Sequence, residues 1–460
     1  MSPTSFLVDG NFKPTSLSGL WFILLGATIL YFLYLSGSAI YNVYFHPLRA
    51  IPGPKTWIAF PFFFHLAAVR GLADKNIRSF HEKYGEVVRI SPEMVSFITA
   101  QAWKDIYGHG HKQLPKWTIK SQGQTSDIIN ANDADHTRFR KALSPAFSER
   151  ALRDQEPLMK AYIDLLIEEL KGAATSEQPA DMVKWYNLTT FDMIGDLAFG
   201  ESFDGLKNSA VHRWVAMIFQ SIKLITFLRA ARNYPFVMKL LLSLMPESLT
   251  KAREEHQAYT RRVAMKRIHD RALHGRPDFM DSMLKHRGTK DGLTDAELAS
   301  NSTVLIVAGS ETTATLLSGV TYWLLRTPNA LRKVIEEVRN AFENEEEINF
   351  TSATARLPYM LACLEEGLRI YPPVPSGLSR ITLPGAPTEI SGYQIAAGVS
   401  AASPFVLGLS KPFSSCLFMC CCTSVREAAS ISTGLFHANH PCLPLRPKCL
   451  STSPLRTAQL

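Results

Sequence analysis

Cysteine is scarce in most of this 460-residue chain. Cys363 is the only cysteine before residue 416, and the other six of the seven lie between Cys416 and Cys449. This distribution excludes the framework of a disulfide-rich secreted protein and fits a reducing compartment. With 46% hydrophobic and 20% charged residues, the chain can bury a large core, which excludes extensive disorder.

Concentrated positive charge is also lacking. The formal net charge is +8, but half of it comes from residues 405–460, which contain five basic residues and a single acid, Glu427. The rest of the chain is therefore only mildly basic. It has no run of Lys and Arg with interleaved aromatic residues, so we predict no nucleic-acid partner.

Between Lys13 and Arg49 the sequence has no charged residue. The stretch from Leu20 to Leu35 and the residues after it provide about 20 mostly apolar positions, which is enough to span a bilayer. A signal peptide would have a shorter apolar region after a basic segment. We therefore expect a membrane anchor within residues 1–45. Arg49 and Lys55 follow it, which favours a cytosolic body on a single-pass protein of the endoplasmic reticulum.

Residues after the anchor are dominated by helical patterns, and one short strand pair interrupts them. EVVRIS and MVSFIT flank the turn signal Pro92-Glu93, which predicts a hairpin. Apolar residues at helical spacing predict amphipathic helices over 157–170, 185–199, 212–228 and 247–273.

A longer helix is expected from Thr294 to Arg326. Thr294 and Glu297 form a capping box before the apolar run, and Thr327-Pro328 begins the next helix as cap and first-turn proline. At 1.5 Å per residue this helix is about 48 Å long and must cross the whole body. Polar residues such as Asn301 and Glu311 in its middle argue against a second membrane span.

Two polar motifs stand out in these helices. The first, AGSETT, places Glu311 and Thr312 in an apolar helix, where an acid beside a hydroxyl can pass protons to a buried site. The alternative is a polar patch that faces an internal cavity or bonds back to the helix carbonyls. The second, LEEGLRIYPPVP, places Glu366 and Arg369 on one helical face; by spacing alone they form an ordinary ion pair.

Together these segments resemble the cytochrome P-450 superfamily of haem-thiolate monooxygenases, in its fungal membrane-anchored form. The resemblance runs from the anchor to about Ala402 and rests on segments that occur in the family's order: YFHPLRAIPGPK, DHTRFRKALSPAFSERALRDQEP, TTFDMIGDLAFGESF, AGSETT and LPYMLACLEEGLRIYPPVP. It implies a mainly α fold with small β-sheets over residues 46–402.

The resemblance also assigns roles to residues. Glu311 and Thr312 match the acid–alcohol pair that delivers protons during cleavage of dioxygen, and Glu366 and Arg369 match the pair that braces the fold. The residues that match contacts of the haem propionates are His136, Arg140 and Arg380. Substrate specificity is implied for the segments Gln113–Asn132 and Ile225–Met245.

The family also implies a haem-ligating cysteine in a loop of the form Phe-x-x-Gly-x-Arg-x-Cys-x-Gly. Residues 403–460 contain no such loop. The closest candidate is Cys449, with Arg446 three positions before it and no flanking glycine. The cluster Cys420–Cys422 does not show the paired Cys/His spacing of a zinc site, although it could be palmitoylated. We therefore expect a non-family tail, produced by a frameshift or an unspliced intron.

Two hypotheses for function follow from the resemblance. In the first, the protein is a monooxygenase of fungal secondary metabolism that hydroxylates or epoxidises an apolar polyketide- or terpenoid-like intermediate. It would use haem, dioxygen and electrons from NADPH through a membrane-bound NADPH-cytochrome reductase. In the second, it is a truncated, haem-free and inactive relative, because the thiolate that favours oxygen cleavage is missing.

Overall fold

The computed structural model describes residues 17–108, 110, 113–117, 125–176, 179–210, 226–243, 247–270, 278–285 and 287–402. The fold is mainly α-helical with small β-sheets, as predicted. The α-helices are Leu17–Ile40, Lys55–Ala59, Phe62–Val69, Ala73–Tyr84, Ala100–Tyr107, Asp133–Leu143, Glu149–Thr175, Met182–Phe199, Pro235–Ser243, Glu247–His269, Phe279–Leu284, Asp295–Arg326, Pro328–Ala341, Phe350–Arg356 and Pro358–Ile370.

In the part of the chain that the structure describes, six strands form two sheets, and we label them in chain order. They are β1 (Val87–Ser91), β2 (Met94–Phe97), β3 (Arg380–Ile381), β4 (Thr388–Ile390), β5 (Tyr393–Ile395) and β6 (Ser400–Ala402). The larger sheet has the order β1-β2-β6-β3, and β4 pairs with β5. The predicted hairpin is confirmed as the antiparallel pair of β1 and β2, and β6 joins β2 in parallel.

The helix Asp295–Arg326, which we call the central helix, crosses the body. Thr294 is its N-cap, and both hydrogen bonds of the capping box with Glu297 are present, as predicted. Its glycine at 309 lies against the helix Met182–Phe199, where a Cβ atom would meet Ile194 Cδ1 at 2.7 Å. Gly309 therefore permits close packing of two helices that enclose the main apolar core.

Some helix boundaries differ from those expected. The helix predicted from Pro157 begins at Glu149 and continues through the proline to Thr175. Pro157 removes one backbone donor, and the long amphipathic face on both sides outweighs that loss. Thr327 precedes Pro328 as predicted, but its side chain makes no capping hydrogen bond. The predicted helix 212–228 lies outside the described residues up to position 225.

The apolar helix Leu17–Ile40 continues into a π-helical turn, Tyr41–Phe45. Two helices in the described residues are long and apolar enough to cross a membrane, Trp21–Phe45 and the central helix. The central helix instead packs inside the body. The N-terminal helix is tied to the body by Asn42, whose Nδ2 donates to the Ala59 carbonyl at 3.2 Å and whose carbonyl accepts from Arg89 Nη1 at 2.7 Å.

The turn after the N-terminal helix is packed against β1. Arg89 N donates to the Pro52 carbonyl at 2.8 Å. Gly53 lies so close to the same strand that a Cβ atom would meet the Arg89 carbonyl oxygen at 2.1 Å. The connection between the apolar helix and the body is therefore held in one orientation.

Candidate active site

Four basic side chains belong to three segments that the fold brings together. The helix Asp133–Leu143 carries His136 and Arg140 one turn apart, so they share a face. Lys116 pairs with Arg380 in an isolated β-bridge. That pairing is fixed by backbone hydrogen bonds from Ile381 N to the Pro115 carbonyl at 2.8 Å and from Trp117 N to the Ser379 carbonyl at 3.1 Å.

We call Lys116, His136, Arg140 and Arg380 the cationic cluster. The pKa values of His136 and Lys116 reflect burial and the charges of other members of this cluster. Burial lowers the pKa of His136 to about 4, helped by the charges of Lys116, Arg140 and Arg380. Burial and the charge of Arg380 lower the pKa of Lys116 to about 8. Because each cation makes its neighbours harder to protonate, the cluster is suited to an anion that carries more than one charge.

The central helix supplies an acid and an alcohol. Glu311 is half-buried, and burial raises the pKa of its carboxyl group above the ordinary value. Within the described part of the chain, its buried Oε1 has no hydrogen-bond partner. The hydroxyls on either side bond to their own helix: Thr312 Oγ1 donates to the Ala308 carbonyl and Ser310 Oγ to that of Ile306, both at 2.6 Å.

A half-buried carboxyl group with a raised pKa holds its proton to higher pH than an exposed one does and can release it to a neighbouring acceptor. Thr312 has the geometry of the alternative interpretation, in which the hydroxyl bonds to a helix carbonyl. Its oxygen still has acceptor capacity, since a hydroxyl that donates one bond can accept others.

The pair Glu366–Arg369 lies in the helix Pro358–Ile370. Arg369 Nε donates to Glu366 Oε2 at 2.6 Å, and a second guanidinium nitrogen contacts the other carboxylate oxygen. These hydrogen bonds raise the pKa of Arg369. The side chains of Arg369 and Glu366 remain 37% and 44% exposed, respectively, so the isolated pair contributes little to stability.

This helix is oriented by Glu337 of the helix Pro328–Ala341. The two carboxylate oxygens of Glu337 accept from Tyr359 N and Met360 N, each at 2.8 Å. Gly367 lets the helix approach the central helix, because a Cβ atom at that position would meet Val320 Cγ2 at 2.3 Å. The helix that carries the Glu366–Arg369 pair is thereby packed against the central helix.

The described residues contain one cysteine, Cys363. Burial, followed by the charges of Glu337 and Glu366, raises the pKa of this thiol. Cys363 therefore stays protonated and is a poor metal ligand. The described residues contain no group of three or more His, Cys, Asp or Glu that could hold a metal ion. Cys449 lies outside the described residues.

Comparison with known proteins identifies the family. The family model for cytochrome P450 matches residues 52–403. The chain belongs to the cytochrome P450 family. It is 53% identical to a trichothecene C-4 hydroxylase of Trichoderma arundinaceum over 77% of this chain and 71% of that protein. It is 54% identical to the cytochrome P450 monooxygenase olcB of Penicillium canescens over 79% of this chain and 74% of that protein.

A third relative is the cytochrome P450 monooxygenase dtxS2 of Metarhizium robertsii, with 46% identity over 81% of this chain and 72% of that protein. This chain is therefore a fungal P450 of the haem-thiolate monooxygenase type, related to P450 monooxygenases of secondary metabolism.

The cationic cluster of this P450 fits the carboxylate end of a haem. A haem carries two propionate groups, and a dianion among Lys116, His136, Arg140 and Arg380 would offset the burial and the like charge that lower the pKa values of Lys116 and His136. Lys116 was not among the residues expected at this site. It lies within the segment assigned to substrate specificity, and only the β-bridge to Arg380 reveals its position.

We predict that His136 makes the haem-free P450 sensitive to mild acid. The folded pKa is about 4, whereas an unfolded histidine titrates near 6.5, so the unfolded state binds more protons between these values. Stability that is present above pH 6.5 is therefore lost as the pH falls toward 4. His136→Gln should show a shallower loss across this window.

The measurement is the urea midpoint of both proteins at several pH values between 4 and 6.5. Carboxylates elsewhere contribute equally to the two curves, so their difference reports His136. Parallel curves would show that the pKa of His136 is not lowered in the folded protein. Adding haem should reduce the difference, because bound propionates favour protonated His136.

Proposed function

We propose that this P450 hydroxylates or epoxidises an apolar polyketide- or terpenoid-like intermediate, using dioxygen and electrons from NADPH delivered by a membrane-bound reductase. The observation that carries the proposal is the 53% identity to a fungal trichothecene C-4 hydroxylase. Support also comes from a half-buried acid on an apolar helix and a cationic cluster suited to haem propionates.

In this proposal, Lys116, His136, Arg140 and Arg380 bind the propionates and orient the cofactor. Bound haem would supply the oxidising chemistry for insertion of one oxygen atom. Glu311 holds a proton on its unpaired carboxylate oxygen, and Thr312 accepts a hydrogen bond beside it. Partial burial raises the pKa of Glu311, so it holds its proton to higher pH than an exposed carboxyl group does. Glu366 and Arg369 brace the helix behind the site.

We further propose that residues 1–45 anchor the protein, residues 46–402 form the P450 body, and residues 403–460 form a tail unrelated to the family. A single-pass anchor in the endoplasmic reticulum with a cytosolic body is supported by the exposed apolar helix and the basic residues after it. Additional support is the exposed apolar surface of the helix Phe62–Val69, which includes Phe62 and Phe63 and lies near the anchor in sequence.

The alternative is a haem-free, inactive relative. It is favoured by residues 403–460, which contain no sequence of the form expected for the thiolate loop. Cys363 does not substitute for it, because burial and two nearby acids raise the pKa of its thiol.

The two functions are separated by spectroscopy of the full chain in membranes supplied with haem and reductase. If the monooxygenase proposal is right, a reduced, CO-treated sample shows the absorption band of thiolate-ligated haem, and NADPH supports formation of an oxygenated product. The Cys449→Ser variant tests the closest ligand candidate. A chain that is folded but retains no haem would establish the haem-free alternative.

A further inference from the structure

Asn301 is a fully buried amide on the central helix, and both ends of its side chain are hydrogen-bonded. Its Oδ1 accepts from Ile128 N at 2.9 Å. Its Nδ2 donates to the Glu297 carbonyl one turn earlier, also at 2.9 Å. The second bond orients the amide so that its oxygen faces the backbone of Ile128. Asn301 therefore connects the central helix to a segment distant in sequence.

Ile128 lies in a compact turn, residues 127–131, which we call the clamped turn. Ala131 N donates to the Asp127 carbonyl at 2.8 Å, and the Asp127 carboxylate accepts from Ile129 N and Asn130 N, each at 2.9 Å. The carbonyl of Ile128 accepts from Lys116 Nζ at 3.0 Å. The backbone of Ile128 thus contacts Asn301 through its N–H and Lys116 through its carbonyl.

A second connection lies one turn earlier on the central helix. Glu297 accepts a hydrogen bond from Arg138 of the helix Asp133–Leu143: Arg138 Nη1 donates to Glu297 Oε2 at 3.0 Å. That helix carries His136 and Arg140. Successive turns of the central helix therefore hold both the clamped turn and the helix that follows it.

Arg380, the remaining member of the cationic cluster, is connected to Lys116 by the β-bridge. All four side chains of the cluster are therefore linked to the part of the central helix around Glu297 and Asn301. Glu311 lies ten residues beyond Asn301 on the same helix, about 15 Å along its axis. A rigid helix between the two regions sets their separation.

We propose that Asn301 is a positioning residue that holds the clamped turn, and through it Lys116, at a fixed place relative to Glu311 and Thr312. The inference rests on the proposed function, because the positioned cluster is the one assigned to the haem propionates. Asn301 contacts neither propionate nor substrate in this scheme. Its role is to align the cofactor's carboxylate end with the helix that delivers protons.

An amide suits this position because it supplies one acceptor and one donor without a buried charge. Aspartate would keep the acceptor for Ile128 N, whereas leucine has similar volume and removes both groups. Ser302, the next residue, provides a matched control: it is also fully buried, and its Oγ has no hydrogen-bond partner within the described residues. The variants are Asn301→Leu, Asn301→Asp and Ser302→Ala.

Three measurements on the full chain test the proposal. Hydrogen exchange over residues 125–131 reports the clamped turn without haem. The pH dependence of hydrogen exchange at the His136 ring reports whether Lys116 still lies beside it. Titration with haem, followed by absorbance, reports the affinity of the cluster for the cofactor.

In Asn301→Leu we expect about tenfold or faster exchange at Ile128, a His136 pKa that rises from about 4 toward its ordinary value, and about tenfold weaker haem binding. Asn301→Asp should lie closer to the wild type than Asn301→Leu in exchange at Ile128, in the His136 pKa and in haem binding. Ser302→Ala should match the wild type. Unchanged exchange and titration in Asn301→Leu would overturn the proposal. Faster exchange with unchanged His136 titration would also overturn it, since the amide would then be only structural.

Failure of the proposed function is a separate result. If no variant and no wild-type protein binds haem, the monooxygenase assignment fails. The exchange and His136 measurements still decide whether Asn301 positions the cluster, because neither needs the cofactor.

Discussion

Replacing Asp278 with alanine is expected to destabilise the body by about 3–5 kcal/mol. Asp278 and Arg267 form an ion pair whose side chains are both 0% exposed, with a shortest contact of 2.9 Å. Removal of the carboxylate leaves a buried guanidinium without its counter-charge. The same carboxylate accepts from Asp281 N at 2.7 Å and caps the helix Phe279–Leu284, so the variant also loses a helix cap.

The free energy of unfolding, measured in denaturant for the full chain in detergent, tests this expectation. Glu82→Ala is the control, because Glu82 pairs with Arg78 at the surface, where their side chains are 65% and 49% exposed. That substitution should cost less than about 1 kcal/mol. Replacing both buried partners, Arg267→Met with Asp278→Leu, should recover much of the loss. An Asp278→Ala protein as stable as Glu82→Ala would contradict the account.

Replacing Glu311 with glutamine is expected to lower product formation by about 10²- to 10⁴-fold in the haem-loaded protein. Glutamine preserves the size of the side chain but cannot release a proton. Burial raises the pKa of Glu311, so the wild-type carboxyl group can be protonated closer to neutral pH than an exposed one. NADPH consumption should fall less than product formation, since electron delivery does not need this proton.

The measurement is the ratio of oxygenated product to NADPH consumed, compared across variants with equal haem content. Ser310→Ala is the matched control: Ser310 is adjacent, fully buried and bonded to the Ile306 carbonyl. It should retain the wild-type ratio. Wild-type product formation in Glu311→Gln would remove Glu311 from the proton path and leave it as a polar group facing a cavity.

Local sequence patterns predicted the elements that depend on neighbouring residues. The capping box at Thr294 and the hairpin around Pro92-Glu93 are both present, because caps and tight turns are made by residues a few positions apart. The boundary at Pro157 was wrong. A proline signal is local, whereas the helix through it is stabilised by packing along its whole length.

The candidate site was only partly accessible to sequence reasoning. His136, Arg140 and Arg380 came from motifs that resemble the family, and they remain proposed propionate contacts. Lys116 and Asn301 had no such signal. Lys116 lies in a short segment without periodicity, and its relation to Arg380 arises from a β-bridge between distant residues. Asn301 looked like one polar residue in a long helix.

The sequence by itself determined the family, the mainly α fold and the apolar N-terminal helix, because motif order, helical periodicity and run length are properties of the chain alone. Tertiary structure decided which charges meet. It lowered the pKa values of His136 and Lys116, left one oxygen of Glu311 without a hydrogen-bond partner among the described residues, and joined Asn301 to Ile128. These properties depend on burial and on contacts between distant segments, and neither exists before the chain has folded.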